Sequence, residues 1–566
     1  MIHGIPAAEG IGIGPAAVLR ESLDYAHVVP AGAEAEKARL LAAVAACAQQ
    51  TAAMAQAVQA KVGPQRAAIL NGQVVMLSDP IFLGQVNGLI DGGACAEAAV
   101  DRACRGLMGM FAALDTELLR QRATDIGDIR ARLLGQLLGR PCADLTALPE
   151  GAVLVVHDLT PSMMAALDRA RVQGILAEVG GLTSHSAILA RAMGLPAVLG
   201  APGATELVRE GDTVVVDGGE GVALAAPSAA VLDEYRARQA RRAQALAGLE
   251  PYRTRPTADA DGRPLLLRAN IASLRDVAQA LDRGAEGVGL LRTEFLFLGR
   301  AALPTEEEQY DAYRRVVEAF SPQEVVVRTL DVSGDKDLPC LGLSREDNPE
   351  LGLRGVRCCL DRPEVFRIQL RALLRASAHG SLRILLPMVS CVDELRAVRA
   401  LLEEGKAELD RARVPYDRGV RLGVMVETPA AVLTADLLTK EVDFFSIGTN
   451  DLTQYTMAAD RSGGGAAGLC SPLQPAVLRS IRAAVAAGRA GGIPVALCGE
   501  AAADPLLLPL LLSFGLTEFS VGTGAILSTR RRIAQWSMQD ADRVAEGAMA
   551  LATEAEVREY LTECMR

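Results

Sequence analysis

The chain has 566 residues, which at ~100 to 200 residues per domain corresponds to about three or four folded units, or one large barrel with smaller companions. Half of the residues are hydrophobic but only 3% are aromatic, so the cores must be built from Ala, Leu, Val and Ile; disulfide miniproteins, collagens and disordered chains are excluded. With 58 Lys and Arg against 69 Asp and Glu the net charge is −11, which leaves no basic footprint for a duplex and argues against nucleic acid as a partner.

The N-terminal MIHGIPAAEGIGIGP lacks a charged stretch followed by an apolar one, and no apolar run reaches ~18 residues, so neither export nor membrane insertion is expected. Residues 2–19 read as short strands broken by glycines. From Glu34 to Leu138, Ala, Leu, Gln and Arg recur with helical spacing, as amphipathic helices either inserted into an α/β domain or packed on one shared core. Strand texture returns at Gly151, in VLVVHD, GILAEVG, PAVLG and DTVVVDGG. After Val222 it gives way to AVLDEYRARQARRAQALAGLE, a charged helix with the character of a linker. From Pro264 onward eight apolar runs alternate with helical stretches: LLLRAN, GVGLLR, VVVRTLD, ILLPMV, LGVMVE, DFFSIG, IPVALCG and EFSVG. Eight such repeats over ~300 residues predict a (β/α)8 barrel, with an open doubly wound sheet as the alternative.

Polar residues cluster where these strands end: Arg292 with Glu294, Arg328 with Asp331, Glu427, Asn450 with Asp451, and Cys498 with Glu500. In a barrel this is the C-terminal rim, where active sites sit, and charge delivered there by five strands is costly unless a ligand pairs it. Glu427 and Asp451 offer two hard oxygen ligands that leave most of an octahedron open, which suits Mg²⁺ completed by substrate oxygens and water. Arg292, Arg328 and Arg461 are candidate forked donors to a phosphate and a carboxylate. A thiol at such a rim, Cys498, is a candidate proton donor or nucleophile.

In the first half, VGGLTSHSAILARAMGLPAVLG places His185 at a glycine-preceded helix start, where free backbone N–H groups favour a phosphate carried on the ring. His3, His27, His157 and His379 lack that setting. The eleven cysteines show neither disulfide nor zinc spacing, which points to a reducing cytoplasm.

GGLTSHSAILAR, GVGLLRTEFLF, VVVRTLDVSGDKDLP, GVMVETP, DFFSIGTNDLTQY, AADR and ALCGEAA together resemble, in their order and over essentially the whole chain, the Enzyme I family of the bacterial phosphotransferase system. The resemblance implies a multidomain α/β protein: an α/β phosphohistidine (swivelling) domain from 1–20 and 145–226, an inserted helical domain over 21–144 that binds the phosphocarrier HPr, a linker helix over 227–258, and a (β/α)8 TIM barrel over 259–566 that binds phosphoenolpyruvate and dimerises. It further implies that His185 is phosphorylated, that Cys498 donates a proton, that Glu427 and Asp451 hold Mg²⁺ (with Mn²⁺ able to substitute), and that Arg292, Arg328, Asn450, Asp451 and Arg461 bind the substrate. Three positions depart from the family pattern: Met164 in place of a common Thr, Gln73 in place of a usual His, and Ser333 in place of a usual Gly.

Two other readings share parts of this pattern. Pyruvate phosphate dikinase and phosphoenolpyruvate synthase have the histidine and barrel domains but need a nucleotide-binding domain, and no glycine-rich P-loop occurs in this sequence. A regulatory phospho-relay of the nitrogen branch uses the same chemistry, usually behind an extra sensory domain, so sugar uptake is the favoured role.

Overall fold

A computed structural model describes the chain apart from residues 20–23, 63, 113–116, 140–144, 146–147, 161–162, 164–166, 182–183, 299, 301, 333–337, 344–345, 347, 461–463 and 566, and apart from the side chains of 57–62, 64–69, 112, 117–121, 185, 188, 189, 192, 339, 464, 465 and 467. Met164, Ser333 and Arg461 fall outside the described residues. The chain forms two compact units, Met1–Ala245 and Leu246–Arg566. No helix among the described residues is long and apolar enough to cross a membrane.

In the first unit, β1 (Ile2–His3), β2 (Ile5–Ala8), β3 (Ile11–Leu19), β4 (Ala152–Val156), β5 (Val172–Ala177), β6 (Ala197–Leu199), β7 (Thr213–Asp217) and β8 (Val222–Ala225) form one sheet in the order β1-β8-β7-β3-β4-β5-β6-β2. β3, β4, β5 and β6 run parallel, and the other pairs are antiparallel. Gly14 in β3 is required by close approach, since a Cβ there would stand 1.8 Å from the carbonyl oxygen of Gly151. Five helices, α1 (Ala33–Val62), α2 (Pro64–Leu77), α3 (Pro80–Asp91), α4 (Ala96–Ala112) and α5 (Glu117–Leu137), lie in sequence between β3 and its direct neighbour β4. They bury a core of their own, including Leu40, Val86, Val100, Leu133 and Leu134, separate from the sheet's cores. The helical segment is therefore an insertion between paired strands. Gln73 is buried within it: its Nε2 donates to Asp128 Oδ2 at 3.0 Å and its Oε1 accepts from Arg132 Nη1 at 3.4 Å, tying α2 to α5.

The charged helix Ala229–Ala247 is bonded to the sheet and its loops through the stretch from Arg238 to Arg242. Arg238 Nη2 pairs with Asp217 at 3.0 Å and Glu220 at 2.7 Å, Gln239 Nε2 donates to the carbonyl of Ile11 at 2.8 Å, and Arg242 reaches Glu9 at 3.1 Å.

In the second unit the eight predicted runs become β9 (Leu266–Ile271), β10 (Val288–Leu291), β11 (Val325–Arg328), β12 (Leu382–Leu386), β13 (Arg421–Val426), β14 (Phe444–Ile447), β15 (Val495–Leu497) and β16 (Glu518–Gly522). All neighbours are parallel and β16 pairs with β9, so the sheet closes and the open-sheet alternative is excluded. Alternation along each strand divides the residues. Leu267, Ala269, Val325, Val327, Ile384, Val424, Val426, Phe445, Ile447, Leu497 and Phe519 belong to the large core beneath the surrounding helices. Leu290, Val326, Leu385, Met425, Phe444 and Cys498 form a second cluster inside the ring.

The N-terminal end of the barrel interior is closed by ions. Glu324 lies 2.5 Å from both Arg268 and Arg383, and Glu518 lies 3.1 Å from Arg268. Burial acts to raise the Glu324 carboxyl, but Arg383 and Arg268 outweigh it and hold the group below its ordinary value. Burial also lowers Arg383, so desolvation outweighs pairing on that partner, though an arginine stays charged at any working pH. Because the Glu324 value is depressed, its stabilisation is present above the ordinary glutamate range and is lost as pH falls through the folded value. Glu324→Ala, which takes from Arg268 and Arg383 their nearer carboxylate and leaves Glu518 to serve both, is expected to destabilise the barrel by about 3 kcal/mol, and Glu324→Gln to remove part of its acid sensitivity; urea unfolding at pH 7 and pH 4 measures both.

Candidate active site

The period of two that sorts the barrel's apolar residues also aims its polar ones. Arg328 follows the inward Val326 by two positions, Glu427 follows Met425, Cys498 follows Ala496, and Asn270 follows Arg268, so all four project into the mouth at the C-terminal ends of their strands. Asp451 reaches the same place from the first turn of the helix Thr449–Met457, which starts directly after β14. Neighbouring strands β13 and β14 run in register from Gly423 opposite Phe444 to Val426 opposite Ile447, which brings Glu427 beside the segment carrying Asn450 and Asp451.

Glu427 is fully buried. Its Oε1 accepts the backbone N–H of Met388 at 2.7 Å, while Oε2 has no hydrogen-bond partner among the described residues. Met388 holds a left-handed φ of 60°, a conformation that a non-glycine residue adopts at a cost, and here it belongs to the peptide that meets Glu427. Space for Oε2 is kept open by Gly448, where a Cβ would stand 2.4 Å away. Burial, then the negative charges of Asp451 and Asp331, push the Glu427 carboxyl up; Arg328 and the Met388 N–H oppose them. An orphaned carboxylate oxygen beside a second carboxylate is the donor set of a divalent cation such as Mg²⁺, which keeps several water or substrate ligands. No group of three or more His, Cys, Asp or Glu with metal-holding geometry occurs among the described residues, and Glu427 and Asp451 are the candidate ligands.

Arg328 is buried and ion-paired on two sides, to Glu294 through Nη2 and to Asp331 through Nη1 at 3.1 Å; its Nε has no partner among the described residues. Glu294 thus serves Arg328 rather than the adjacent Arg292. Arg292 is exposed and makes no ion pair among the described residues, yet its charge is felt at Cys498, as are those of Arg328 and Glu427. Asn450 is half-buried and Glu500 exposed.

Cys498 is 3% exposed, with the Ser446 hydroxyl donating to its Sγ at 3.1 Å. Burial pushes the thiol up to about 11, against the lowering effects of Ser446, Arg328 and Arg292. The group therefore holds its proton at neutral pH, the state that a proton donor needs. Asn270, absent from the sequence reading, braces it: Nδ2 donates to the Cys498 carbonyl at 3.0 Å, and Oδ1 accepts from Ser520 Oγ at 2.6 Å. Its inward position two residues after Arg268 was the available signal. Arg354 was also missed, and nothing periodic marks it, because it lies on a loop.

His185 lies in the other unit, as the first residue of the helix His185–Met193. Ser184 caps that helix, its Oγ accepting the N–H of Ala187 at 3.2 Å, and Gly194 ends it at φ 64°. Ser186 Oγ donates to the carbonyl of Leu159 at 2.9 Å, which ties the helix start to the segment after β4, and Arg191 in the last turn donates to the carbonyl of Ala7 in β2 at 2.8 Å. The structure thus gathers Arg328, Glu427, Asp451 and Cys498 in one mouth, with Arg292 and Asn450 at its edge, and holds His185 on a separate capped helix.

Three family models match the chain in succession: PEP-utilising enzyme, N-terminal, over residues 3–122; PEP-utilising enzyme, mobile domain, over 148–221; and PEP-utilising enzyme, PEP-binding domain, over 247–538. Among curated proteins, the phosphoenolpyruvate-protein phosphotransferase of Geobacillus stearothermophilus is 44% identical over 99% of this chain and 97% of its own. That of Bacillus subtilis is 40% identical over 100% of both chains, and that of Haemophilus influenzae 39% over 100% of this chain and 99% of its own.

Since Cys498 is buried and protonated, it is expected to resist iodoacetamide at pH 8, while exposed Cys391 and Cys564 react. Its modification should rise only as pH approaches about 11, followed by peptide mass spectrometry.

Proposed function

The chain belongs to the phosphoenolpyruvate-protein phosphotransferase family, and from that membership we propose that it moves the phosphoryl group of phosphoenolpyruvate to its own His185 and then to a histidine of the phosphocarrier HPr, as the first step of sugar uptake. The observation that carries the proposal for this chain is the pairing, in one barrel mouth, of a buried protonated thiol with an orphaned carboxylate oxygen.

Arg292, Arg328, Arg461 and Asn450 bind the phosphate and carboxylate of the substrate, and Glu427 with Asp451 would hold Mg²⁺, for which Mn²⁺ substitutes. When bound there, the cation would supply neutralisation of the negative charge that the transfer develops. A ring nitrogen of His185 attacks phosphorus in line; the N–P bond forms as the bridging O–P bond breaks, and the electron pair leaves on the enolate oxygen. Cys498 then gives its proton to the enolate carbon, forming pyruvate, and the thiolate recovers a proton from water. Protonation removes the nucleophile that would otherwise reverse the transfer. A thiol held near 11 suits this order of events, because it keeps its proton until a carbanion-like carbon is generated beside it.

The domain assignment goes with this reading: residues 1–20 and 145–226 carry the phosphohistidine, 21–144 receive HPr, 227–258 form the linker, and 259–566 form the barrel through which the protein dimerises in the cytoplasm. His185 must serve two partners in turn, so its domain has to swivel between them.

His185→Ala is expected to abolish formation of an acid-labile, base-stable phosphoprotein from labelled phosphoenolpyruvate without loss of fold; label retained by the variant refutes the assignment. Cys498→Ala is expected to accept phosphate from phospho-HPr at normal rates, while pyruvate formation falls by roughly 10²- to 10⁴-fold. Equal loss in the two half-reactions, or none, would remove Cys498 from the mechanism.

A further inference from the structure

Arg354 stands on the loop between β11 and β12, yet its side chain is 2% exposed. Nε and Nη2 reach the two oxygens of Asp331 at 3.3 and 3.4 Å. Nη1 stands 2.8 Å from Asp451 Oδ1 and 3.0 Å from Tyr455 Oη, and also donates to the Glu350 carboxylate. Arg328 holds Asp331 from its other side at 3.1 Å. The charges therefore alternate across the mouth, from Glu294 through Arg328, Asp331 and Arg354 to Asp451. Asp451 Oδ1 accepts no aligned hydrogen bond among the described residues, so the charge contact with Arg354 is what sets the bearing of this carboxylate while leaving its lone pairs available.

A second observation joins the same segment to Glu427. Gly355, the next residue, adopts φ 56°, and a Cβ on it would lie 2.7 Å from Cβ of Met388. The N–H of Val356 donates to the carbonyl of Pro387 at 3.1 Å. Met388 is the residue whose N–H holds Glu427 Oε1. One short stretch, Arg354 to Val356, thus braces the supports of both carboxylates.

We infer that Arg354 is a positioning residue for the divalent-cation site, fixing Asp451 relative to Glu427 by placing one guanidinium between the carboxylates of Asp331 and Asp451. The inference rests on the reading of Glu427 and Asp451 as cation ligands. Without the guanidinium, the Asp451 carboxylate loses the contact that orients it and faces the like charge of Asp331, so it turns from the position in which it meets the cation beside Glu427. Lysine is a poor replacement, because a single ammonium cannot span both carboxylates as the planar fork does.

The test is Mn²⁺ binding to the metal-free full chain, read from the electron paramagnetic resonance of the free ion, with neither substrate nor turnover. Arg354→Met is expected to weaken Mn²⁺ binding at least tenfold, and Arg354→Lys to weaken it less. Asp451→Asn, the reference for a lost ligand, is expected to weaken it as well. Wild-type affinity in folded Arg354→Met, with weakened binding in Asp451→Asn, overturns the positioning role and leaves the cation site standing. Undiminished binding in Asp451→Asn overturns the cation site and the positioning role with it. Should Arg354→Met fail to fold, Arg354→Lys decides alone, and unchanged affinity in it refutes the inference. Thermal unfolding of the metal-free variants separates a merely structural arginine, which would lower Tm and leave Mn²⁺ affinity untouched.

Discussion

Closure of eight parallel strands into a ring is the constraint on which the site depends. Side chains alternate along each strand, so outward positions are committed to the surrounding helices and inward positions converge on one narrow axis. Arg328, Glu427, Cys498 and Asn270 are each flanked by an outward residue, Val327, Val426, Leu497 and Ile271 or Ala269, that is completely buried in the large core. None of the four can leave the mouth without pulling such a neighbour from its packing. The geometry of the polar groups is thereby held by the apolar ones.

The two ends of the same barrel show how charge distinguishes a plug from a site. At the N-terminal end Arg268 and Arg383 face Glu324 and Glu518, two of each sign, with contacts of 2.5 and 3.1 Å. At the C-terminal end, among the described buried side chains, the carboxyl groups of Glu294, Asp331, Glu427 and Asp451 face Arg328 and Arg354, four acidic groups against two basic ones. Buried ions are tolerated when they are paired, so the balanced network needs no further partner. The unbalanced one carries its excess as a raised Glu427 carboxyl and an orphaned oxygen, which a divalent cation would offset.

The first unit divides labour differently. Its helical segment interrupts the chain between two strands that pair directly, and it can do so because it buries a core of its own. The sheet in turn presents His185 on a helix pinned at its start by Ser184 and Ser186 and stopped at Gly194. The histidine proposed to carry the phosphoryl group is thereby placed on a helix whose backbone is fixed against the sheet.

Periodic residues carried their information in the sequence itself. The eight barrel strands, the inserted helices and the helix start at His185 follow from patterns of two, of 3.6 and of glycine placement, each a local property of the backbone. The rim residues were legible for the same reason, since each lies at or just beyond the end of an apolar run. Tertiary structure alone decided the pairings: that Glu294 serves Arg328 and not its neighbour Arg292, that the Cys498 thiol is an acid rather than a thiolate, and that Arg354, 23 positions beyond Asp331 and 97 before Asp451, bridges the two. Those outcomes depend on burial and on distances between charges far apart in the chain. Burial and such distances exist once the ring has closed, which is why no local pattern of residues encodes them.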